Sequence, residues 1–350
     1  PAEVNLRRGD IANMGFACAA DVPVILAGDI DRGGAIAQIV GTRTVMTDED
    51  VAQVAGFMVN KFRGDVTLFE DGYRAIEDHT GWTGYGVLPW FDAAHLLPAE
   101  DAVELSETSG GQGFHIACPM LSRIANFDDL DPLKAEPNIR LTMVPPGQAL
   151  PGDADLIVLP GTKSTRADLA FLRAQGWDID IQAHLRRGGR VLGICGGYQM
   201  LGAQIDDPDG LEGDAGTARG LGLLNVTTTM QPRKTLTRVE AMHLPTGTSF
   251  DGYEIHIGQT TGPDSARAFA RIGGGLDGAI SGNGRVMGTY LHGLFANGAF
   301  RQAFLRQMGH ASGGADYTRT IDRTLNELAA HMEAHLDIDG LLAAARPIKT

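Results

Sequence analysis

Apolar positions along this chain alternate between two spacings. Runs such as 22–27 (VPVILA) and 54–59 (VAGFMV) are apolar on both faces, as strands inside a sheet covered on both sides are. Between them, residues 35–40 carry helical spacing, and Thr47-Asp48-Glu49-Asp50 opens a further helix with acidic residues at the positive end of its dipole. The pattern lapses into polar and glycine residues over 104–113 (ELSETSGGQG), where a domain boundary is expected. It resumes with strands predicted at 114–118, 139–144, 154–159 and 190–194, then near 222–228 and 286–291. The tail, roughly 299–345, predicts two helices packed on the second domain. Strand–helix alternation of this kind predicts an α/β fold with parallel sheets, divided into domains 1–108 and 114–350.

Composition adds mainly exclusions. The 350 residues are 43% hydrophobic and 21% charged, without an apolar run long enough to span a bilayer. The 47 glycines lie at turns rather than in a repeat. A net charge of −14 repels phosphate backbones, so nucleic acid is not an expected partner, and neither is a membrane. An anionic small substrate stays open, because a pocket can differ in sign from the whole surface. Cys18, Cys118 and Cys195 are too few and too widely spaced for a disulfide framework or a zinc knuckle. A reducing cytoplasm, no metal bound by the protein and no signal segment are the corresponding expectations. The chain opens at Pro1 without a lead-in and reads as part of a longer protein.

The sharpest chemical feature is Gly193-Ile194-Cys195-Gly196-Gly197. A strand, one nucleophile-type residue, two glycines and a helix make the layout of a nucleophile elbow, whose sharp turn needs small neighbours. A helix N-terminus aimed at the sulfur favours the thiolate, and the Gly196 N–H is placed to meet an oxyanion. Cys18 and Cys118 lack this context and read as small buried hydrophobes. Two histidines compete as the base: His292 in GTYLHGLF, at the end of an apolar strand, and His256 in GYEIH. Pro160-Gly161-Thr162-Lys163-Ser164-Thr165 superficially resembles the end of a phosphate-binding loop, but Thr162 separates the glycine from the lysine. A glycine turn offering a second oxyanion N–H, from Gly161, suits it better.

Together GICGGYQMLG, LPGTKST, GYEIHIG and GTYLHGLF resemble the amidotransferase half shared by cobyric acid and cobyrinic acid a,c-diamide synthases, over residues 114 to 310. The resemblance implies a class I glutamine amidotransferase-like, flavodoxin-like domain in which Cys195 and His292 hydrolyse glutamine. The glutamate that usually follows this histidine by two residues is replaced by Leu294, which leaves Glu254 as a candidate orienting group beside a plain Cys–His dyad. In the first third, PAEVNL, GDIDRGG and NKFRGD are similar to the cobyric acid synthase branch. That similarity implies a partial P-loop domain like dethiobiotin synthetase, with its phosphate loop upstream of Pro1. Asn60 would recognise the base, and Asp29 and Asp31 would lie near phosphates or magnesium, against the plainer reading of a solvated turn.

The implied reaction is ATP- and Mg²⁺-driven amidation, with glutamine as ammonia source, of carboxylates b, d, e and g of adenosylcobyrinic acid a,c-diamide. No prosthetic group is implied, and a homo-oligomer is compatible with this reading. The sibling a,c-diamide synthase, a glutaminase subunit serving another ligase, and a non-catalytic binding protein are the alternatives.

Overall fold

Residues 4–98, 113–313 and 316–345 are described by the computed structural model. The apolar runs of the first third become three parallel strands, β1 (Val24–Asp29), β2 (Val54–Phe62) and β3 (Thr83–Pro89), side by side in that order. Helices Ala35–Val45, Asp48–Gln53 and Glu70–Thr80 occupy the connections, as parallel pairing requires. Thr47 starts the second of these by accepting the Asp50 N–H on its hydroxyl at 3.3 Å. Met14, Ile39, Phe57, Val59, Ile76 and Trp82 form the buried core of this unit.

The chain divides into two compact units, and the tail corrects the expected division. Three helices, Gly298–Gln307, Tyr317–His335 and Ile338–Ala344, replace the two predicted, and from Asp322 onward the chain belongs to the first unit. There His331 Nε2 meets the Pro89 carbonyl at 2.9 Å and the Asp337 N–H donates to the Tyr85 carbonyl at 2.9 Å, while Leu336 bridges Gly86. These contacts extend the edge of β3, which a helical hydrophobic pattern alone cannot announce. The expected boundary at 104–113 lies outside the described residues except for Gly113.

In the second unit the buried runs assemble a six-stranded sheet. Its strands are β4 (Phe114–Pro119), β6 (Ile139–Val144), β7 (Leu156–Leu159), β9 (Arg190–Ile194), β16 (Ala279–Ile280) and β17 (Val286–Thr289), ordered β16-β17-β9-β7-β4-β6. All pairs are parallel except β16 with β17. A two-stranded ribbon of β5 (Ile124–Ala125) and β8 (Gly161–Thr162) lies apart from it.

A second, seven-stranded sheet holds β10 (Gln204–Asp207), β11 (Gly216–Arg219), β12 (Thr227–His243), β13 (Thr248–Thr261), β14 (Ala270–Ile272), β15 (Gly275–Asp277) and β18 (Leu291–His292). The strand expected at 222–228 therefore starts only at Thr227. The preceding Leu221, Leu223 and Leu224 N–H groups instead satisfy the Met200 and Leu201 carbonyls at the end of helix Gly196–Leu201, at 2.8–2.9 Å. The strand expected at 286–291 is two strands: the chain leaves the parallel sheet after Thr289 and enters the antiparallel one at Leu291. Among the described residues no helix is long and apolar enough to cross a membrane.

Candidate active site

Strand β9 is buried nearly throughout and ends at Cys195, which stands at φ 52°, ψ −109° before helix Gly196–Leu201 begins. A non-glycine residue held in this conformation is strained, and such strain persists only where the surroundings impose it. The surroundings here are backbone. The Cys195 N–H donates to the Thr289 carbonyl at 2.8 Å, and a methyl group at Gly197 would sit 2.1 Å from the Leu159 carbonyl oxygen. The double glycine thus lets the helix press against the adjoining strand and push the sulfur forward. Gly196 is the first helical residue, so its N–H has no intrahelical acceptor. It lies against Gly161–Thr162: a side chain at 196 would meet Thr162 Cγ2 at 2.5 Å. Gly161 in turn lies against the histidine: a methyl group there would meet His292 Cε1 at 3.2 Å.

Of the two competing histidines, the structure sets His292 against the sulfur. His292 is 1% exposed and Cys195 9%. The Nδ1 atom of His292 lies 2.6 Å from Asp129 Oδ2, and the other Asp129 oxygen accepts the Gly293 N–H at 2.6 Å. With Nδ1 committed, the buried Nε2 has no hydrogen-bond partner among the described residues and is the nitrogen left for Cys195. Burial opposes protonation of this imidazole. The Asp129 charge and hydrogen bond, with the Cys195 sulfur, outweigh it and push His292 up to about 10. Such an environment favours an imidazolium beside sulfur.

His256 is elsewhere engaged. Its Nδ1 meets the Gly258 carbonyl at 2.8 Å, its Nε2 lies 3.6 Å from Glu254 Oε1, and its ring stacks on Tyr290 with centroids 3.9 Å apart. Glu254 is accordingly corrected as the orienting group: the carboxylate on His292 is Asp129. Sequence reasoning passed over Asp129, which stands 163 residues before its partner in a turn, Phe127–Leu130, with no local motif beyond its acidic neighbours. The Cys195 sulfur donates to the Ile255 carbonyl at 3.4 Å, so β13 covers the reacting pair.

The lysine-bearing loop is not a phosphate cradle. Its helix, Thr165–Ala174, begins with the Thr165 N–H donating to Glu212 Oε2 at 2.6 Å, so a carboxylate from a neighbouring loop already occupies the helix start. Asp168, fully buried, accepts from the Ser122 hydroxyl at 2.5 Å, the Arg123 N–H at 3.1 Å and the Thr162 hydroxyl. It thereby clamps the β5–β8 ribbon that carries Gly161. Cys118 is fully buried, and that burial pushes its thiol far up; Cys18 donates to Asp50 at 3.3 Å. Neither has an elbow.

In the first unit the three residues singled out stand together at the carboxyl edge of the parallel sheet, Asp29 in register with Asn60. Asp29 pairs with Lys61 at 3.0 Å and Asp31 with Arg63 at 2.7 Å, while Asn60 Oδ1 accepts the Lys61 N–H at 2.8 Å.

The CobB/CobQ-like glutamine amidotransferase domain family matches residues 115–300. A cobyric acid synthase of Jannaschia sp. is 64% identical over 342 residues, which are 98% of this chain and 71% of that protein. One of Paracoccus denitrificans is 65% identical over 346 residues, 99% of this chain and 72% of that protein. Among solved structures, PurLQS from Thermotoga maritima covers 61% of this chain and all of its own, with 17% identity and a TM-score of 0.42.

Proposed function

Because this chain belongs to the cobyric acid synthase family, amide ligases of cobalamin biosynthesis that carry a glutamine amidotransferase domain, we propose that Cys195 releases ammonia from glutamine for amidation of a corrinoid. The observation that carries the reading is the strained, covered Cys195 beside a buried His292 whose Nδ1 is held by Asp129.

The Cys195 thiolate attacks the side-chain amide carbon of glutamine. The Gly196 N–H, with a second donor from Gly161, meets the developing oxyanion, each such donor being worth about 3 kcal/mol. His292 gives its Nε2 proton to the leaving ammonia, and a thioester remains on the sulfur. The same nitrogen, now unprotonated, takes a proton from water, which cleaves the thioester to glutamate. Asp129 keeps the ring oriented and stabilises its charged form, as the third member of a triad does.

The acceptor in this proposal is adenosylcobyrinic acid a,c-diamide, amidated at carboxylates b, d, e and g to adenosylcobyric acid. A free carboxylate is a poor electrophile. ATP with Mg²⁺ would supply the phosphoryl group that turns it into an acyl phosphate, and ammonia attacking the acyl carbon would expel inorganic phosphate and leave the amide. Magnesium held with nucleotide phosphates takes only one or two protein carboxylates, so Asp29 and Asp31 fit it once Lys61 and Arg63 exchange partners. In this reading Asn60, in register with Asp29 at the neighbouring strand end, recognises the base.

The test is mass-spectrometric analysis of corrinoid products from glutamine, Mg-ATP and the a,c-diamide, using an enzyme of the relatives' full length and its Cys195→Ser variant. Stepwise amidation that the variant loses with glutamine and regains with free ammonia supports both halves. Amidation of the unamidated acid in place of the diamide would assign the sibling reaction. A variant that still uses glutamine would remove Cys195 from the chemistry.

A further inference from the structure

Residue alternation along β13 places Tyr253, Ile255 and Ile257 on one face and Glu254 and His256 on the other. The chemistry-bearing residues of GYEIH are on the second face, yet the first face meets the reacting pair. Tyr253 is the register partner of His292 on β18, and the two rings stack with centroids 5.2 Å apart and planes 18° from parallel. The Tyr253 hydroxyl accepts a hydrogen bond from Asn126 Nδ2 at 2.8 Å, across 127 residues. Asn126 stands at φ 54° and begins the turn Phe127–Leu130, which carries Asp129. One turn therefore holds the imidazole twice: at its edge through Asp129, and at its face through Asn126 and Tyr253. Two residues beyond Tyr253, the Ile255 carbonyl accepts from the Cys195 sulfur at 3.4 Å.

The geometry points to Tyr253, locked by Asn126, as a positioning residue for glutamine hydrolysis. An imidazole held only at Nδ1 can still swing its plane about that bond, and Nε2 then leaves the line to the sulfur. A ring fixed parallel to it removes this freedom, and the Asn126 bond fixes that ring. Loss of the lock slows the proton transfers at Nε2 and leaves the affinity for glutamine unchanged, because neither Asn126 nor Tyr253 holds the substrate in this mechanism. The inference rests on Cys195 and His292 acting as proposed above.

The experiment measures ammonia release from glutamine by the 350-residue chain, with thermal midpoints recorded in parallel. Its variants are Asn126→Gly, Tyr253→Phe, both together, and Tyr253→Leu. Glycine is chosen at 126 because it keeps the left-handed backbone without strain. Each of the first two should lower kcat about five- to tenfold with KM within about twofold, the effect of one lost hydrogen bond. The double variant should be no slower than either alone, since both remove the same bond. Tyr253→Leu, which also removes the stacked ring, should fall further, and Tyr253→Phe should keep its thermal midpoint. Multiplying losses in the double variant, a rise in KM alone, or an unchanged kcat would overturn the inference. A Cys195→Ser control separates the two layers: if it still hydrolyses glutamine, the nucleophile assignment fails, whereas an inactive control leaves the latch alone on trial.

Discussion

Replacing Asp129 by asparagine keeps the side chain's shape and removes the charge on which His292 depends. The pair is 2.6 Å apart and both residues are buried, so solvent screens it little. His292 is carried from 6.5 up to about 10 against the opposing effect of burial. That net rise corresponds to roughly 5 kcal/mol favouring the imidazolium, which Asp129 and the Cys195 sulfur together supply over and above what burial removes. A lost charge-assisted hydrogen bond alone costs about 1.5–3 kcal/mol. The asparagine amide can also donate to Nδ1 and impose the wrong tautomer.

Together these effects predict a fall of about 10²–10³ in kcat/KM for glutamine at neutral pH. The sign with pH follows from the direction of the shift. In the parent protein the imidazolium persists from acid through pH 6.5 toward 10, whereas in Asp129→Asn, with burial left to oppose the charge, it is lost at lower pH. The deficit should be smallest at pH 6 and grow toward pH 9. The assay is ammonia release, beside the rate at which an electrophilic glutamine analogue labels Cys195, across that range. A variant within threefold of the parent at pH 7 and pH 9 would refute the role given to Asp129.

Two further outcomes concern the scaffold. Gly197→Ala places a methyl 2.1 Å from the backbone oxygen of Leu159, which cannot swing aside; a loss of about 1–3 kcal/mol in urea unfolding is expected, and an unchanged midpoint would show that the elbow yields. His243 is fully buried among Phe269, Phe300 and Phe304, and burial lowers its pKa to about 4. The unfolded chain takes up this proton at 6.5 and the folded one only near 4, so stability falls as pH drops through that window, by about 3 kcal/mol for this group. His243→Leu should lack that part of the acid slope; equal slopes in urea titrations at pH 7 and pH 4.5 would contradict the assignment.

The two periodicities identified the strands at 139–144 and 190–194 to the residue: the first alternates buried and half-buried positions at the sheet's edge, and the second is an apolar run buried almost throughout. The elbow was legible for a local reason: strand, turn and helix are contiguous, so glycines needed for close packing sit next to the cysteine they serve. Asp129 was invisible because the bond that gives it meaning is made by tertiary folding. His256 and Glu254 drew attention by residue type, while Tyr253 just before them, an ordinary strand aromatic in the sequence, is the one that touches His292. The tail was misassigned because a helix's apolar stripe records that it packs, not on which sheet. The break after Thr289 was likewise hidden, since both of its strands are apolar and consecutive.

That break also divides the reacting pair. Cys195 hangs from the parallel sheet and His292 from the antiparallel one, and Asp129 reaches the histidine from far back in the chain. Neither sheet holds the site by itself: it exists where the end of β9 meets β13 and β18, so the spacing of sulfur and imidazole is a property of how the two sheets are joined and not of either one.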